Sequence, residues 1–293
     1  VEARLGSDAS PDISQLLRER TGGNPLFVTS LLDSWLEREL LRAENLDIER
    51  LTCDVPDTVR DLIEQMLEQL DPSDRDLLAA ASAIGQEFSV AAAAAASERS
   101  EEDVDARCDA LARVGRFVEQ AGEELWPDRT LAARYRFGHD LHREVLYDSL
   151  RPAQRAAIHR RIGNRVEAAY RDRPREMAAE LADHFVRAGD AARAVPSLRL
   201  AAEQAVERLA HREALEHVTT ALAMIDRVPD GPDRWSEELA LESMRGAAYI
   251  ATRGWSAAEA ETAFLRAREL AGRLDGTAHL GPTLCRLGTL YVV

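Results

Sequence analysis

The strand-to-helix junction that decides the fold of this chain is the stretch Tyr135–Tyr147, YRFGHDLHREVLY. Its first residues, Tyr135–Phe137, alternate aromatic and charged side chains and predict a short strand. From Leu141 onward, apolar residues recur at helical spacing, which predicts a helix to the end of the stretch. His139 and Asp140 stand between the two elements. We therefore expect this pair at the N-terminus of a helix, at the place where two parts of the protein meet.

The composition favours helices and excludes a phosphate-binding loop. A chain of 293 residues is long enough for two or three domains. Alanine is abundant and aromatic residues make up only 5%, which favours helices over sheets. All 37 basic residues are arginine. Because a P-loop needs a lysine to reach the β- and γ-phosphates, this chain cannot contain one.

The net charge and the positions of the cysteines argue against several kinds of binding site. A net charge of −15 argues against broad contact with nucleic-acid phosphates or anionic membranes. Cys53, Cys108 and Cys285 are far apart, so they predict neither a zinc site nor a disulfide framework. We expect a cytoplasmic protein, without a membrane span or signal peptide. Because the chain begins at Val1 and stops within a helical pattern at Val293, we expect it to be a piece of a longer protein.

Residues 1–55 predict two helices joined by a tight turn. Ser10 is a suitable N-cap before a proline, and Thr21–Pro25, TGGNP, breaks the helix that follows. Leu31, Leu32 and Trp35 then recur at helical spacing and predict a second helix.

Residues 56–137 predict helices followed by a β-hairpin. The helical segments begin near Val55, Asp71, Val90 and Ser100, and the one that follows Ser100 ends at Arg113. We expect strands at 117–119 and 134–137, with Gly122–Thr130 as a polar loop. This layout is typical of a winged helix. The helix that would read DNA is rich in acidic residues, which argues against direct DNA contact.

The last part of the chain predicts stacked helix pairs. A helix is expected from Arg151 to Tyr170, and small and large apolar residues then recur in pairs of helices, as in Leu181-Ala182-x-x-Phe185. The pattern is similar to the tetratricopeptide repeat, so we expect an incomplete α-solenoid with a concave binding surface. Its final half-pair is expected around Leu287–Tyr291. The fold class is therefore mainly α.

Two short motifs resemble one protein family. Gly23-Asn24-Pro25, followed by leucine and phenylalanine between two helices, resembles the sensor segment of signal-transduction ATPases with numerous domains (STAND). Gly138-His139-Asp140 is similar to the Met-His-Asp motif of that family, with glycine in place of methionine. The resemblance implies that Pro25 lies near the adenine of a bound nucleotide. It also implies that His139 contacts the β-phosphate of ADP.

The family resemblance implies an organisation and a function. Residues 1–55 would be the helical lid of an ATPase module, residues 56–150 a winged-helix domain and residues 151–293 the repeats. The chain would be a regulatory fragment of an ATP/ADP switch in signalling or transcription, with the ATPase core upstream of Val1. ATP or ADP with magnesium would bind the intact protein, and no cofactor would bind the fragment. A protein, a peptide or a small inducer would bind the repeats.

The sequence is also compatible with two other functions. A stand-alone scaffold of helical repeats is the main alternative, and a DNA-binding winged-helix regulator is the third. We find no catalytic residues. No metal-ligand spacing is present among five further histidines, which we expect to be structural or solvated: His142, His159, His184, His211 and His217. The fragment is therefore expected to have no enzymatic activity, whereas the resemblance implies an ATPase for the parent protein.

Overall fold

A computed structural model of the chain describes residues 59–274, apart from Arg116, and seven isolated residues before them. These seven residues, all helical, are Leu17, Pro25, Val28, Thr29, Leu31, Leu32 and Trp35. In these described parts helices dominate and the sheet has three strands, so the mainly α fold class is confirmed. The predicted helix starts at Ser10 and Val55 and the half-pair at Leu287–Tyr291 lie outside the described residues.

Helices and a small antiparallel sheet form the part of the chain before the junction. Its elements are α1 (Val59–Glu68), α2 (Pro72–Ser82), β1 (Glu87–Ser89), α3 (Val90–Ser97), α4 (Glu101–Arg113), β2 (Val118–Leu125) and β3 (Leu131–Phe137). The strand order is β1-β3-β2, with antiparallel pairing throughout. The strand that leads into the junction is therefore the central one, bonded on both sides.

Polar side chains cap these helices where the sequence predicts. Asp71 Oδ1 accepts a hydrogen bond of 2.8 Å from the backbone N–H two residues later. Ser89 and Ser100 accept bonds of 3.2 Å from the N–H three residues later. Each cap satisfies an N–H group that the first helical turn leaves unpaired. The predicted start of α4 after Ser100 and its end at Arg113 are confirmed.

The β-hairpin is longer than predicted. The prediction of a loop over Gly122–Thr130 is wrong, because β2 continues to Leu125 and β3 begins at Leu131, its cross-strand partner. Gly122 has a φ of +106° and lies at a bulge opposite Arg134, so the strand bends there and continues. Strand β1 was not expected at all, since three residues are too few to show an alternating pattern.

Within residues 140–274, seven α-helices follow the junction, and the last six of them form the helical arm. The seven helices are α5 (Asp140–Ser149), α6 (Pro152–Ala169), α7 (Ala178–Ala188), α8 (Ala191–Glu207), α9 (His211–Met224), α10 (Pro232–Arg253) and α11 (Ala258–Arg273). From α6 to α11 each helix packs against the next one along the chain, and α8 also contacts α10. The arm is therefore an α-solenoid, as predicted. Gly189, in the left-handed region at φ +69°, ends α7 and turns the chain into α8.

A buried group of charges lies between α10 and α11. Glu238 and Glu242 are 6% and 5% exposed. Arg266 donates to Glu238 Oε1 at 2.7 Å, and Arg245 lies 2.7 Å from Glu242 Oε2. Burial outweighs these attractions and raises the pKa of Glu242 to about 6. Ionisation of the Glu242 carboxyl at neutral pH therefore destabilises the folded chain.

Replacement of Glu242 with glutamine is expected to stabilise the chain at pH 8. A folded-state pKa above the unfolded value means that stability is present below the unfolded pKa and is lost as the pH rises through about 6. The uncharged amide avoids this loss, which corresponds to about 2 kcal/mol at most. Urea unfolding at pH 8 and pH 4.5 should show a gain only at pH 8. Glu269→Gln, at an exposed partner of Arg266, should show no gain at either pH.

Candidate functional site

The junction is held by backbone hydrogen bonds up to the residue before His139. Gln86 Nε2 donates to Phe137 O at 2.6 Å, and Phe137 N–H donates to Gln86 O at 2.9 Å. The N–H of Gly138 donates to Phe117 O at 2.9 Å. The sheet therefore fixes the position from which the next residue, His139, enters α5.

His139 is the N-cap of α5. Its backbone is extended, and its Nδ1 accepts the N–H of Leu141 at 3.1 Å. In the neutral ring this assigns the proton to Nε2. Since the residue is exposed, this Nε2–H is available to an external acceptor, beside the partial positive charge of a helix N-terminus.

The neighbours of His139 carry charges of both signs. Asp140, the first residue of α5, is exposed and brings a negative charge to the first turn. Arg143 follows one turn later and has no ion-pair partner in the described part of the chain. An anion at the His139 ring would therefore be favoured by Arg143 and disfavoured by Asp140. Arg143 was not identified from the sequence, although its spacing of four residues from His139 would have placed it on the same helix face.

His142 is a second imidazole at the junction that sequence reasoning did not single out. Its ring packs edge-on against Phe117, with centroids 5.1 Å apart, and lies 6.3 Å from the ring of His139. Both ring nitrogens are inaccessible and lack a hydrogen-bond partner within the described structure. Burial, with a smaller effect of His139, lowers the pKa of His142 to about 4. The ring is therefore neutral at physiological pH.

The upstream half of the predicted site is described only in part. Gly23 and Asn24 lie outside the described residues. Pro25 is helical and exposed, and its carbonyl accepts a hydrogen bond of 2.9 Å from the hydroxyl of Thr29. The predicted helix after this turn is supported by Leu31, Leu32 and Trp35, which are all helical and fully buried. That Pro25 and His139 contact the same bound nucleotide stays a prediction.

A chain of hydrogen bonds connects the far end of α5 to the arm. The hydroxyl of Tyr147 is 3.0 Å from His159 Nε2, and His159 Nδ1 is 2.9 Å from His184 Nδ1. Tyr147 lies in α5, His159 in α6 and His184 in α7. The helix that begins at His139 is thus bonded at its other end to the first two helices of the solenoid.

Two arginines of α6 bind the part of the chain that precedes the junction. Arg161 donates twice to Ala96 O, at 3.0 and 2.7 Å. Arg165 donates to Asp128 at 2.8 Å and its guanidinium lies 4.6 Å from the ring centre of Trp126. These contacts join the first helix of the solenoid to α3 and to the hairpin. The α5–α6 region is therefore bonded to both of its neighbours.

Two general features bear on the kind of site. In the described residues, no three His, Cys, Asp or Glu side chains are grouped so that they could hold a metal ion. Across the same parts of the chain, none of the helices combines the length and the apolarity that crossing a bilayer requires.

Comparison with known proteins gives one distant structural likeness. No family model matches the chain. No curated protein matches it either. Among solved structures, the chain is similar to a Signal Transduction ATPase with Numerous Domains (STAND) protein with a tetratricopeptide repeat sensor from Pyrococcus horikoshii, at 13% identity and a TM-score of 0.32. The match covers 98% of this chain and 48% of that protein, so the chain spans about half of its length. At this TM-score no residue roles can be transferred.

Proposed function

We propose that this chain is the regulatory part of a STAND-type nucleotide switch. In this proposal, His139 responds to a phosphate of ADP bound by an adjoining ATPase core, and the helical arm receives a protein, a peptide or a small inducer. The observation that carries the proposal is the Nε2–H of His139. This donor has no acceptor among the described residues, and it lies at a helix N-terminus, on the element that joins the sheet to the arm.

The part before the junction acts in this proposal as a winged-helix packing and switching module. The order of α2, β1, α3, α4 and the hairpin agrees with a winged helix. Arg107 of α4 forms ion pairs with Asp74 at 2.6 Å and with Asp103 at 2.9 Å, so these carboxylates offset its charge. The exposed Glu101 and Glu102 leave this helix acidic, which supports partners other than nucleic acid.

The proposal is tested by two substitutions of His139 in the complete gene product. His139→Ala removes both the helix cap and the Nε2 donor. His139→Ser keeps a capping oxygen but removes the donor, because the serine side chain is too short to reach an external phosphate. We expect both variants to release labelled ADP roughly 10- to 100-fold faster, since a hydrogen bond to a charged group contributes about 1.5–3 kcal/mol. Only the alanine variant should also lose about 1 kcal/mol of stability.

Two results would contradict the nucleotide role. If His139→Ser retains ADP as tightly as the unchanged protein, His139 is only a helix cap. If the gene encodes no P-loop domain ahead of Val1, the ATPase core that the proposal needs does not exist. The arm would then favour the second candidate, a stand-alone scaffold of helical repeats.

A further inference from the structure

Two cavities lie side by side along α8 on the helical arm. The first has a volume of about 500 Å³ and is lined mainly by α6, α7 and α8. The second, of about 300 Å³, is lined by α8, the segment that follows α9 and the start of α10. Ala192 and Pro196 line both cavities, so the two cavities adjoin and together form one groove. We call these two residues the ridge. Volumes of this size are typical of ligand sites.

The ridge carries a backbone carbonyl that has no helical N–H donor. Pro196 lies inside α8, and proline has no N–H to donate to the carbonyl four residues earlier. The carbonyl of Ala192 therefore lacks its helical partner at the point where the two cavities meet. A ligand that crosses the ridge with an N–H group would supply the missing donor.

The walls of the two cavities provide apolar surface. The first cavity is lined by Tyr170, Leu181 and Leu200, and the second by Val195, Ile225 and Val228. An occupant with a hydrophobic side chain on each side of the ridge would bury this surface, at a gain of about 25 cal/mol per Å².

The first cavity is also basic, on a chain whose net charge is −15. Arg171 and Arg193 both line it. Arg193 donates to Asn164, and its nearest carboxylate, that of Glu167, is 3.7 Å away. Arg171 is exposed and has no ion-pair partner within the described residues. Two guanidinium groups thus face one carboxylate in the first cavity, whereas Arg234 faces Asp233 and Glu237 in the second. A negatively charged group of the occupant is therefore favoured in the first cavity, beside Arg171.

We propose that this groove binds a short peptide segment of a partner protein, with apolar side chains in the two cavities and an Asp or Glu side chain on Arg171. A backbone N–H of the peptide donates to Ala192 O on the ridge. The inference rests on the proposed role of the arm as the part that receives a partner. It adds the chemical class of that partner, an acidic-apolar peptide.

The test begins with an array of random decapeptides probed with the purified chain. Asp and Glu should be enriched beside Leu, Ile or Phe among the bound peptides. The strongest binder is then labelled with fluorescein and titrated by fluorescence anisotropy. Arg171→Glu should weaken its binding about tenfold or more, and added salt should weaken binding to the unchanged chain. Arg212→Glu makes the same charge change on an exposed residue of α9 outside the groove and should leave the affinity unchanged.

A second variant separates binding from folding. Pro196→Ala supplies an N–H to Ala192 O and removes a helix-interior proline, so the fold should be as stable or more stable. Binding of the same peptide should nevertheless weaken, because the ridge acceptor is now occupied.

Three outcomes would overturn the proposal. These are no enrichment of acidic residues on the array, equal effects of Arg171→Glu and Arg212→Glu, and self-association of the chain that Arg171→Glu abolishes. The last would assign the groove to a second copy of the chain. None of these results affects ADP release from the His139 variants, so the proposed nucleotide switch and the peptide groove can fail independently.

Discussion

Acidification from pH 7 to pH 5 is expected to remove roughly 4 kcal/mol of unfolding free energy through two buried histidines. His159 and His184 are each 2% exposed, and their Nδ1 atoms are 2.9 Å apart. One proton suffices for the hydrogen bond between them. Protonation of both rings would put an N–H on each Nδ1 and would place two cations against each other inside the protein. Arg155 and Arg187, around the ring of Tyr147, add further positive charge to this cluster.

The direction of the effect follows from the pKa values. Burial is the main cause that lowers the pKa of both His159 and His184 to about 4, from an ordinary value of 6.5. The unfolded chain therefore binds protons between pH 6.5 and pH 4 that the folded chain does not bind. Stability is present above pH 6.5 and is lost as the pH falls towards 4, by roughly 2 kcal/mol for each histidine at pH 5. Asp183 and Glu180 lie close enough to moderate this loss.

Urea unfolding at pH 7 and pH 5 measures this loss directly. The double variant His159→Gln/His184→Asn keeps polar groups in the cluster but cannot titrate. Its stability should change between the two pH values by roughly 4 kcal/mol less than that of the unchanged chain. The quantity compared is the change in unfolding free energy between pH 7 and pH 5. A variant that is less stable at both pH values therefore still tests the prediction. His217→Gln, at a surface ion pair in α9, is the matched control.

Imidazole NMR signals provide an independent measurement. In the folded chain the rings of His159 and His184 should stay neutral down to about pH 5. Titration of either ring near pH 6.5, or the same pH dependence in the double variant as in the unchanged chain, would show that the pair does not limit acid stability.

Features that depend on local sequence could be predicted. Ser100 and Pro152 mark helix starts through capping and a fixed φ, and α4 and α6 begin where these residues predict. The junction was predictable for the same reason. The change from strand to helix pattern lies within a few residues, and His139 caps the helix that follows it.

Features that depend on distant contacts could not be predicted. His159 and His184 are 25 residues apart on different helices, and no pattern within either helix indicates that their rings meet. Arg161 and Arg165 are four residues apart on one face of α6. Their partners lie 35 to 65 residues earlier in the chain. The orphan nitrogens of His142 likewise depend on what packs around the ring. These contacts join the junction to its neighbours, so the connection between site and arm is visible only in three dimensions.

Close packing of glycine against phenylalanine in two helix pairs leads to the second large expected effect. Gly163 of α6 faces Phe185 of α7, and Gly246 of α10 faces Phe264 of α11. A Cβ atom at Gly163 would lie 2.7 Å from the Phe185 ring, and one at Gly246 would lie 2.6 Å from the Phe264 ring. Both rings are fully buried and cannot move aside without disturbing their surroundings.

Gly246→Ala is therefore expected to destabilise the chain by about 1–3 kcal/mol, because overpacking outweighs the gain in helix propensity of about 1 kcal/mol. Gly163→Ala should behave alike. Gly272→Ala in α11, where an added Cβ meets nothing within 4 Å, should instead leave stability unchanged or raise it by up to about 1 kcal/mol. Thermal unfolding of the three variants checks whether the stability changes have these opposite signs.

The double variant Gly246→Ala/Phe264→Leu should be less destabilised than the sum of its single changes, because the smaller side chain makes room for the methyl group. Strict additivity, or a Gly246→Ala variant as stable as Gly272→Ala, would mean that the helices adjust freely and that this contact does not set their spacing.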